Sequence, residues 1–211
     1  MNNCLNDFQN IKTILTKNSV IFDIGLNIGD FSELICKNNK YSQIYGFEPV
    51  NNYYEYVKKR LSSYENVNIY NYGIGNINQT LDIYIAGQHH PGWNTFLKKD
   101  PNQKDNFYNN MIKQKAKLIT LDSFCEENKI TKIDLIKIDV EGFECRVIEG
   151  FLNTLKKLEN KPYLYVEVGW GKNHPEWDYC KNIYEKLFEI GYKRVEFKNE
   201  TEDILFEPLT N

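Results

Sequence analysis

The sequence predicts an α/β fold with a mostly parallel, doubly wound sheet, and three observations carry that prediction. Apolar periodicity switches repeatedly between strand-like and helix-like along the chain. The runs at 19–24 and 134–140 are strongly apolar, as parallel strands covered on both faces are. The first of them passes through a glycine-containing turn straight into a helical stripe, the kind of junction where open α/β sheets bind ligands.

The elements follow in order. After the strand at 19–24, Phe31, Leu34 and Ile35 share one face of a helix over 30–36. Residues 43–47 form the second strand, Pro49 opens the next element, and Tyr53, Tyr54, Val57 and Leu61 trace a helix as far as Ser62. Residues 67–72 alternate as a third strand. The link from residue 72 to 81 is too short for a crossover helix, so 81–86 is expected to run antiparallel and to carry His89 away from the site. The stretch 86–117 is the least regular and is expected to be a substrate lid. Beyond the strand at 134–140, Val147, Ile148, Phe151, Leu152 and Leu155 form one helical stripe, followed by a strand at 163–168. Apolar residues from Trp177 to Phe188 recur at helical spacing until Gly191 stops them. Residues 192–197 and 204–206 close the sheet as an edge hairpin around the charged turn 198–202.

Length and composition exclude several function classes. The 211 residues fit one domain, 1–211, with 41% hydrophobic and 26% charged residues, which excludes a disordered or collagen-like chain. A net charge of −3 argues against a surface that binds nucleic acid through phosphate neutralisation. No run approaches the roughly 18 apolar residues of a membrane helix, and the N-terminus lacks a basic region followed by an apolar one. A cytoplasmic location without membrane or nucleic-acid partners is therefore expected. The five cysteines are scattered with no C-x-x-C pair, which fits buried thiols rather than a zinc site.

Three segments carry chemistry. In Asp23-Ile-Gly-Leu-Asn-Ile-Gly29, glycines allow a sharp turn and close ligand approach, and the exposed amides of the helix start favour polar or anionic groups. The same pattern also serves as a purely structural turn. It does not match the G-x-G-x-x-G dinucleotide pattern, because Asn27 stands where a second glycine is needed, and this disfavours a nicotinamide-dependent oxidoreductase. In Gly46-Phe-Glu-Pro49, Glu48 closes the second strand where a carboxylate accepts ribose hydroxyls in doubly wound folds; the alternative is a simple helix cap. In the segment 133–144, Lys137 and Asp139 share a strand face, so a structural ion pair explains the buried lysine. Asp139 and Glu167 each end an apolar strand. If those strands are parallel neighbours, about 4.8 Å apart, the two carboxylates can act as base plus orienter or as ligands of a hard cation such as magnesium.

With these segments in view, the chain resembles the FkbM-type family of S-adenosylmethionine (SAM)-dependent methyltransferases. The matching pieces are Asp23 to Gly29, Gly46 to Pro49, Asn71 to Gly75, Thr120 to Phe124, Ile133 to Gly150, and Tyr165 to Val168; Asp134-Leu-Ile-Lys-Ile-Asp-Val-Glu-Gly-Phe-Glu144 is the most specific. The resemblance implies a Rossmann-like class I methyltransferase fold with a seven-stranded sheet and an O-methyltransferase acting on a hydroxyl of a sugar or other small metabolite. It implies that Asp23, Gly25, Asn27 and Gly29 surround the methionine part of the cofactor with Ser32 behind them. Glu48, next to Pro49, would hold the ribose, Asn71 and Tyr72 would lie beside the adenine, and Asp139 would face the sulfonium and the acceptor. Family members often carry alanine at the positions of Leu26 and Gly73 and aspartate at that of Asn76, so an acidic adenine contact is not implied. Candidate bases are Asp139, Glu141, Glu167 and His174, the last on a loop leaving the carboxyl end of the strand at 163–168. In the irregular stretch, His89, His90, Trp93, Asn94 and Thr95 form an aromatic and polar mixture suited to a sugar ring. A non-catalytic module that binds the cofactor or a partner is the competing class.

Overall fold

The structure, a computed structural model, describes residues 2–87, 92–97, 111–169, 171–196 and 203–209. Its elements are α1 (Asn2–Ile11), β1 (Val20–Ile24), α2 (Asp30–Asn38), β2 (Gln43–Phe47), α3 (Asn51–Arg60), β3 (Val67–Tyr70), β4 (Gly73–Ile74), β5 (Gln79–Ile85) and β6 (Ile112–Ile119), then α4 (Leu121–Glu127), β7 (Leu135–Ile138), α5 (Glu144–Glu149), α6 (Leu152–Lys157), β8 (Tyr163–Glu167), α7 (Trp177–Glu189), β9 (Tyr192–Glu196) and β10 (Asp203–Pro208). Seven strands form one sheet in the order β3-β2-β1-β7-β8-β10-β9. The first five are parallel, while β10 runs antiparallel to both β8 and β9. The expected seven-stranded sheet with an antiparallel edge pair is therefore what forms, and the sequence order reverses at β1, where the turn after Asp23 lies.

Strand parity explains why both faces are covered. Ile21, Ile44, Leu135 and Tyr165 point to a core completed by Ile11 of α1 and by Phe31 and Ile35 of α2. Their chain neighbours Phe22, Ile136, Leu164 and Val166 point to the other core, filled by α4, α5, α6 and α7. Phe124 of α4 anchors that second core, packing edge-on against Phe22, Phe47 and Tyr70 with centroids 5.8, 4.9 and 5.0 Å away.

Four features differ from the expectation. First, 112–117 is strand rather than lid: β6 pairs along its length with β5 in a second sheet, ordered β4-β6-β5. Lys113, Lys115 and Lys117 occupy its exposed face and burial is confined to Ala116, Leu118 and Ile119 at its end, so polarity hides the alternating pattern. Second, β5 is antiparallel as expected, but a bridge between Tyr84 and Thr95 turns the chain back. Third, the single helical stripe at 147–155 is two helices broken at Gly150, where a Cβ would lie 2.0 Å from the Gly75 carbonyl oxygen. Fourth, residues 2–11 form a helix, α1, that the sequence analysis does not include. It docks through a buried polar contact in which the Tyr165 hydroxyl lies 2.9 Å from Asp7 and 3.0 Å from Asp203. Cys36, Cys125, Cys145 and Cys180 are buried free thiols, and no helix among the described residues is long and apolar enough to cross a membrane.

Phe124→Ala removes the ring that packs on β1, β2 and β3 and is expected to cost about 3–5 kcal/mol of unfolding free energy in urea titration. Ile77→Ala, at a side chain that is 58% exposed, is expected to stay within about 0.5 kcal/mol of the parent chain.

Candidate active site

The turn after β1 is folded inward. The amides of Gly25 and Leu26 donate to the Phe47 carbonyl at 3.2 and 3.0 Å, and the Asn27 amide donates to Glu48 Oε2 at 2.8 Å. These turn amides therefore bind β2 and its terminal glutamate. Gly25 adopts φ 86° and its missing Cβ would sit 1.8 Å from the Asp139 carbonyl oxygen, so only glycine lets the turn lie against the end of β7. The buried side-chain atoms that the turn leaves unpaired are acceptors. Asp23 Oδ1 and Asn27 Oδ1 are buried without a hydrogen-bond partner, while Asp23 Oδ2 accepts from Ser32 Oγ at 2.6 Å. Burial pushes Asp23 up to about 6, against the lowering effect of Lys137 and Ser32.

Glu48 is buried at the end of β2, with Oε1 accepting from the Val50 amide at 2.7 Å and Oε2 from Asn27. Desolvation outweighs these two bonds and pushes its carboxyl up to about 8. Asn71 uses its side-chain amide to hold the Glu48 carbonyl at 3.0 Å, and the Pro49 carbonyl is held by Gln114 at 2.8 Å. Tyr72 stacks on Tyr70 at 6.0 Å beneath the ammonium of Lys117. Asp23, Gly25, Asn27, Gly29, Ser32, Glu48, Pro49, Asn71 and Tyr72 are thus gathered on the turns after β1 and β2 and around the end of β3. The departures at Leu26, Gly73 and Asn76 have local reasons. Leu26 covers Gly46, a Cβ on Gly73 would lie 2.7 Å from the Phe96 ring, and Asn76 donates to Glu149 at 2.7 Å.

β7 and β8 are parallel neighbours, so the condition placed on Asp139 and Glu167 is met. Asp139, Glu141 and Glu167 each bring one oxygen within 4.8 Å of the others, a set that can hold a hard cation. Asp139 Oδ2 receives the Lys137 ammonium at 2.6 Å. Burial alone would lower the Lys137 pKa, but Asp139, Asp23 and Asp7 raise it, so the lysine is held charged. Glu167 Oε2 is buried without a partner, and burial together with Asp139, Glu141 and Glu144 pushes its carboxyl far above the usual range. Glu141 sits at φ 55° in the tight turn, which is locked by Glu144 Oε1 accepting from the Val140 and Gly142 amides at 3.1 and 3.0 Å.

Two groups of expected site residues take other parts. Both ring nitrogens of His174 are engaged: Nε2 lies 2.7 Å from the Gly142 carbonyl and Nδ1 accepts from the Glu176 amide at 2.9 Å. A buried imidazole so held positions the Asp139–Glu144 turn and is not placed to take a substrate proton. Thr95 is buried and its hydroxyl donates to the Glu141 carbonyl at 2.7 Å, and Asn94 accepts from the Ala86 amide at 3.1 Å. Trp93 is 49% exposed. The 92–97 segment does border the site, since a Cβ on Gly92 would lie 3.8 Å from Asn27 and 3.9 Å from Glu141. His89 and His90 lie outside the described residues.

A family model described as the methyltransferase FkbM domain matches residues 23–194. The chain belongs to the FkbM methyltransferase family. No curated protein matches it. Among solved structures, a caffeoyl-CoA O-methyltransferase candidate from Staphylococcus aureus is similar over 100% of this chain and 84% of its own, at TM-score 0.58 and 12% identity. A methyltransferase candidate from Streptococcus mutans, solved in complex with SAH, covers 96% of both chains at TM-score 0.53 and 12% identity. An rRNA methylase from Streptococcus thermophilus covers 97% of this chain and 95% of its own at TM-score 0.52 and 12% identity. The fold is that of the class I SAM-dependent methyltransferases, and this FkbM methyltransferase is a SAM-dependent enzyme by family and fold.

The unpaired acceptors fit that cofactor, whose methionine ammonium and ribose hydroxyls are donors, better than a pyrophosphate, which needs donors from the protein. Lys137→Met, which strands Asp139 and Asp23 beside no cation, is expected to cost about 3–5 kcal/mol in urea titration, partly recovered by adding Asp139→Asn. Ribose hydroxyls donating to Glu48 would favour its ionised form, so binding there would lower a pKa that stands at about 8. The affinity for S-adenosylhomocysteine (SAH) is accordingly expected to rise with pH and level off above about 8, and Glu48→Gln to remove that rise, as read by calorimetry.

Proposed function

We propose that this FkbM methyltransferase is an O-methyltransferase acting on a hydroxyl of a sugar, free or in a glycan or nucleotide-sugar, or of another small metabolite. The observation that carries this reading is the carboxylate pair at the ends of β7 and β8, one turn away from unpaired acceptors suited to SAM. SAM bound at the Asp23–Gly29 turn and Glu48 supplies a methyl group on a sulfonium. Asp23 and Asn27 hold the donors of the methionine end, and Glu48 holds the ribose.

Asp139, tied down by Lys137, accepts the proton of the acceptor hydroxyl. Glu167, whose raised pKa keeps a proton on it at neutral pH, orients the same oxygen. As the oxygen–carbon bond forms, the carbon–sulfur bond breaks in line and its electron pair leaves on sulfur. A second reading has specific support: Asp139, Glu141 and Glu167 together can hold magnesium, which would replace proton-sharing as the means of keeping three acids together. The short backbone turns around the site and the net charge of −3 favour a small acceptor over nucleic acid. Cytoplasmic action without a membrane partner belongs to the same reading.

The test is transfer of isotopically labelled methyl from SAM to a panel of sugar hydroxyls, with and without EDTA. Asp139→Asn is expected to lower kcat by about 10²–10⁴ while leaving SAH affinity within a few-fold. SAH binding without turnover on any hydroxyl would favour a binding module, and failure to bind SAH would sink the methyltransferase reading. A rate lost to EDTA and restored by magnesium would assign the acids to a metal.

A further inference from the structure

Beyond Glu167, toward the antiparallel edge of the sheet, the end of β8, the loop 171–174, α5, α7 and β9 enclose a cavity of about 240 Å³. That is below the roughly 300–1,000 Å³ of pockets for drug-sized ligands and suits a single ring. Its walls include Val168, Trp177 and Tyr184, and two cationic side chains, Lys172 and Arg194, line it as well. Its acids are Glu144 and Glu167. Glu144 has Oε1 bound by two backbone amides, whereas Glu167 Oε2 is buried without a partner. Glu167 also belongs to the acid cluster beside Asp139, so the cavity and the reaction site share one residue. His174, in the cavity wall, fixes the Gly142 carbonyl and with it the turn that carries Glu141.

We propose that this cavity is the acceptor subsite and that it takes a single hydroxylated ring bearing an acidic group. The ring lies against Trp177 and Tyr184, the anion meets Lys172 and Arg194, and a hydroxyl reaches Glu167. Aromatic faces bind either a sugar ring or a planar phenol through apolar contact. Two cations at the same cavity discriminate for an anionic form of either. The proposal rests on the reading of Asp139 and Glu167 as the hydroxyl site, and it adds what the rest of the acceptor must look like.

The experiment follows the indole N–H resonance of Trp177, identified by its loss in Trp177→Phe, in the full chain with and without saturating SAH. The probes are D-glucuronate and 3,4-dihydroxybenzoate, with D-glucose and catechol as their neutral counterparts. At least one acidic ring is expected to shift the resonance with an affinity about tenfold or more above its neutral counterpart. Lys172→Glu and Arg194→Glu are each expected to weaken that binding by about tenfold while leaving SAH affinity unchanged. Which acidic ring binds distinguishes a sugar acid from an aromatic one. Equal binding of neutral and acidic rings, no shift with any probe, or insensitivity to both charge reversals would overturn the proposal. Acidic-ring binding in a chain that does not bind SAH would uphold the subsite and remove the methyltransferase reading instead.

Discussion

A single buried ammonium organises this molecule. Lys137 stands in the middle of β7, flanked by β1 and β8, with its Nζ 2.6 Å from Asp139 and under the ring of Phe31. Asp23 and Asp7 add their fields to it. An unpaired charge in that position would be untenable, and so would acids this buried without a cation. The lysine therefore ties three things together: the start of the turn after β1, the carboxylate at the end of β7, and the N-terminal helix α1.

Around that pair, the ends of the strands are placed by backbone contacts more than by side chains. The Gly25 backbone approaches the Asp139 carbonyl so closely that no side chain fits, and the turn's amides are used on the end of β2. The buried side-chain atoms left without a partner there, Asp23 Oδ1, Asn27 Oδ1 and Glu167 Oε2, are all acceptors. Such a set suits ligands that bring donors, and burial together with Asp139, Glu141 and Glu144 holds Glu167 far above the usual carboxylate range.

Much of this was legible in the residues. The strands that end at Asp23, Glu48, Asp139 and Glu167 are short apolar runs whose last residues must lie at one edge of a parallel sheet, and the Lys137–Asp139 pair follows from strand parity. Less legible was anything that depended on where a polar side chain turns. Thr95 and Asn94 carry the chemistry of a sugar contact, yet in the structure they pin the chain to the Glu141 turn and to Ala86. His174 carries the chemistry of a base, yet both its nitrogens hold backbone groups. Residues 112–117 do not read as a strand because their exposed face is lysine, which obscures an alternating pattern whose buried members are few.

The sequence by itself determined the parallel α/β architecture, the order of its ligand-facing strand ends and the identity of the acids placed there, because periodicity and strand parity are local properties of the chain. Only the tertiary structure decided which amides and imidazole nitrogens are already occupied, that β5 and β6 make a second sheet, and that Glu167 opens onto a cavity lined by residues from α7 and β9. Those are matters of which distant groups meet. Hydrogen-bonding capacity is written in each residue, but its partner is chosen by packing across segments far apart in the chain.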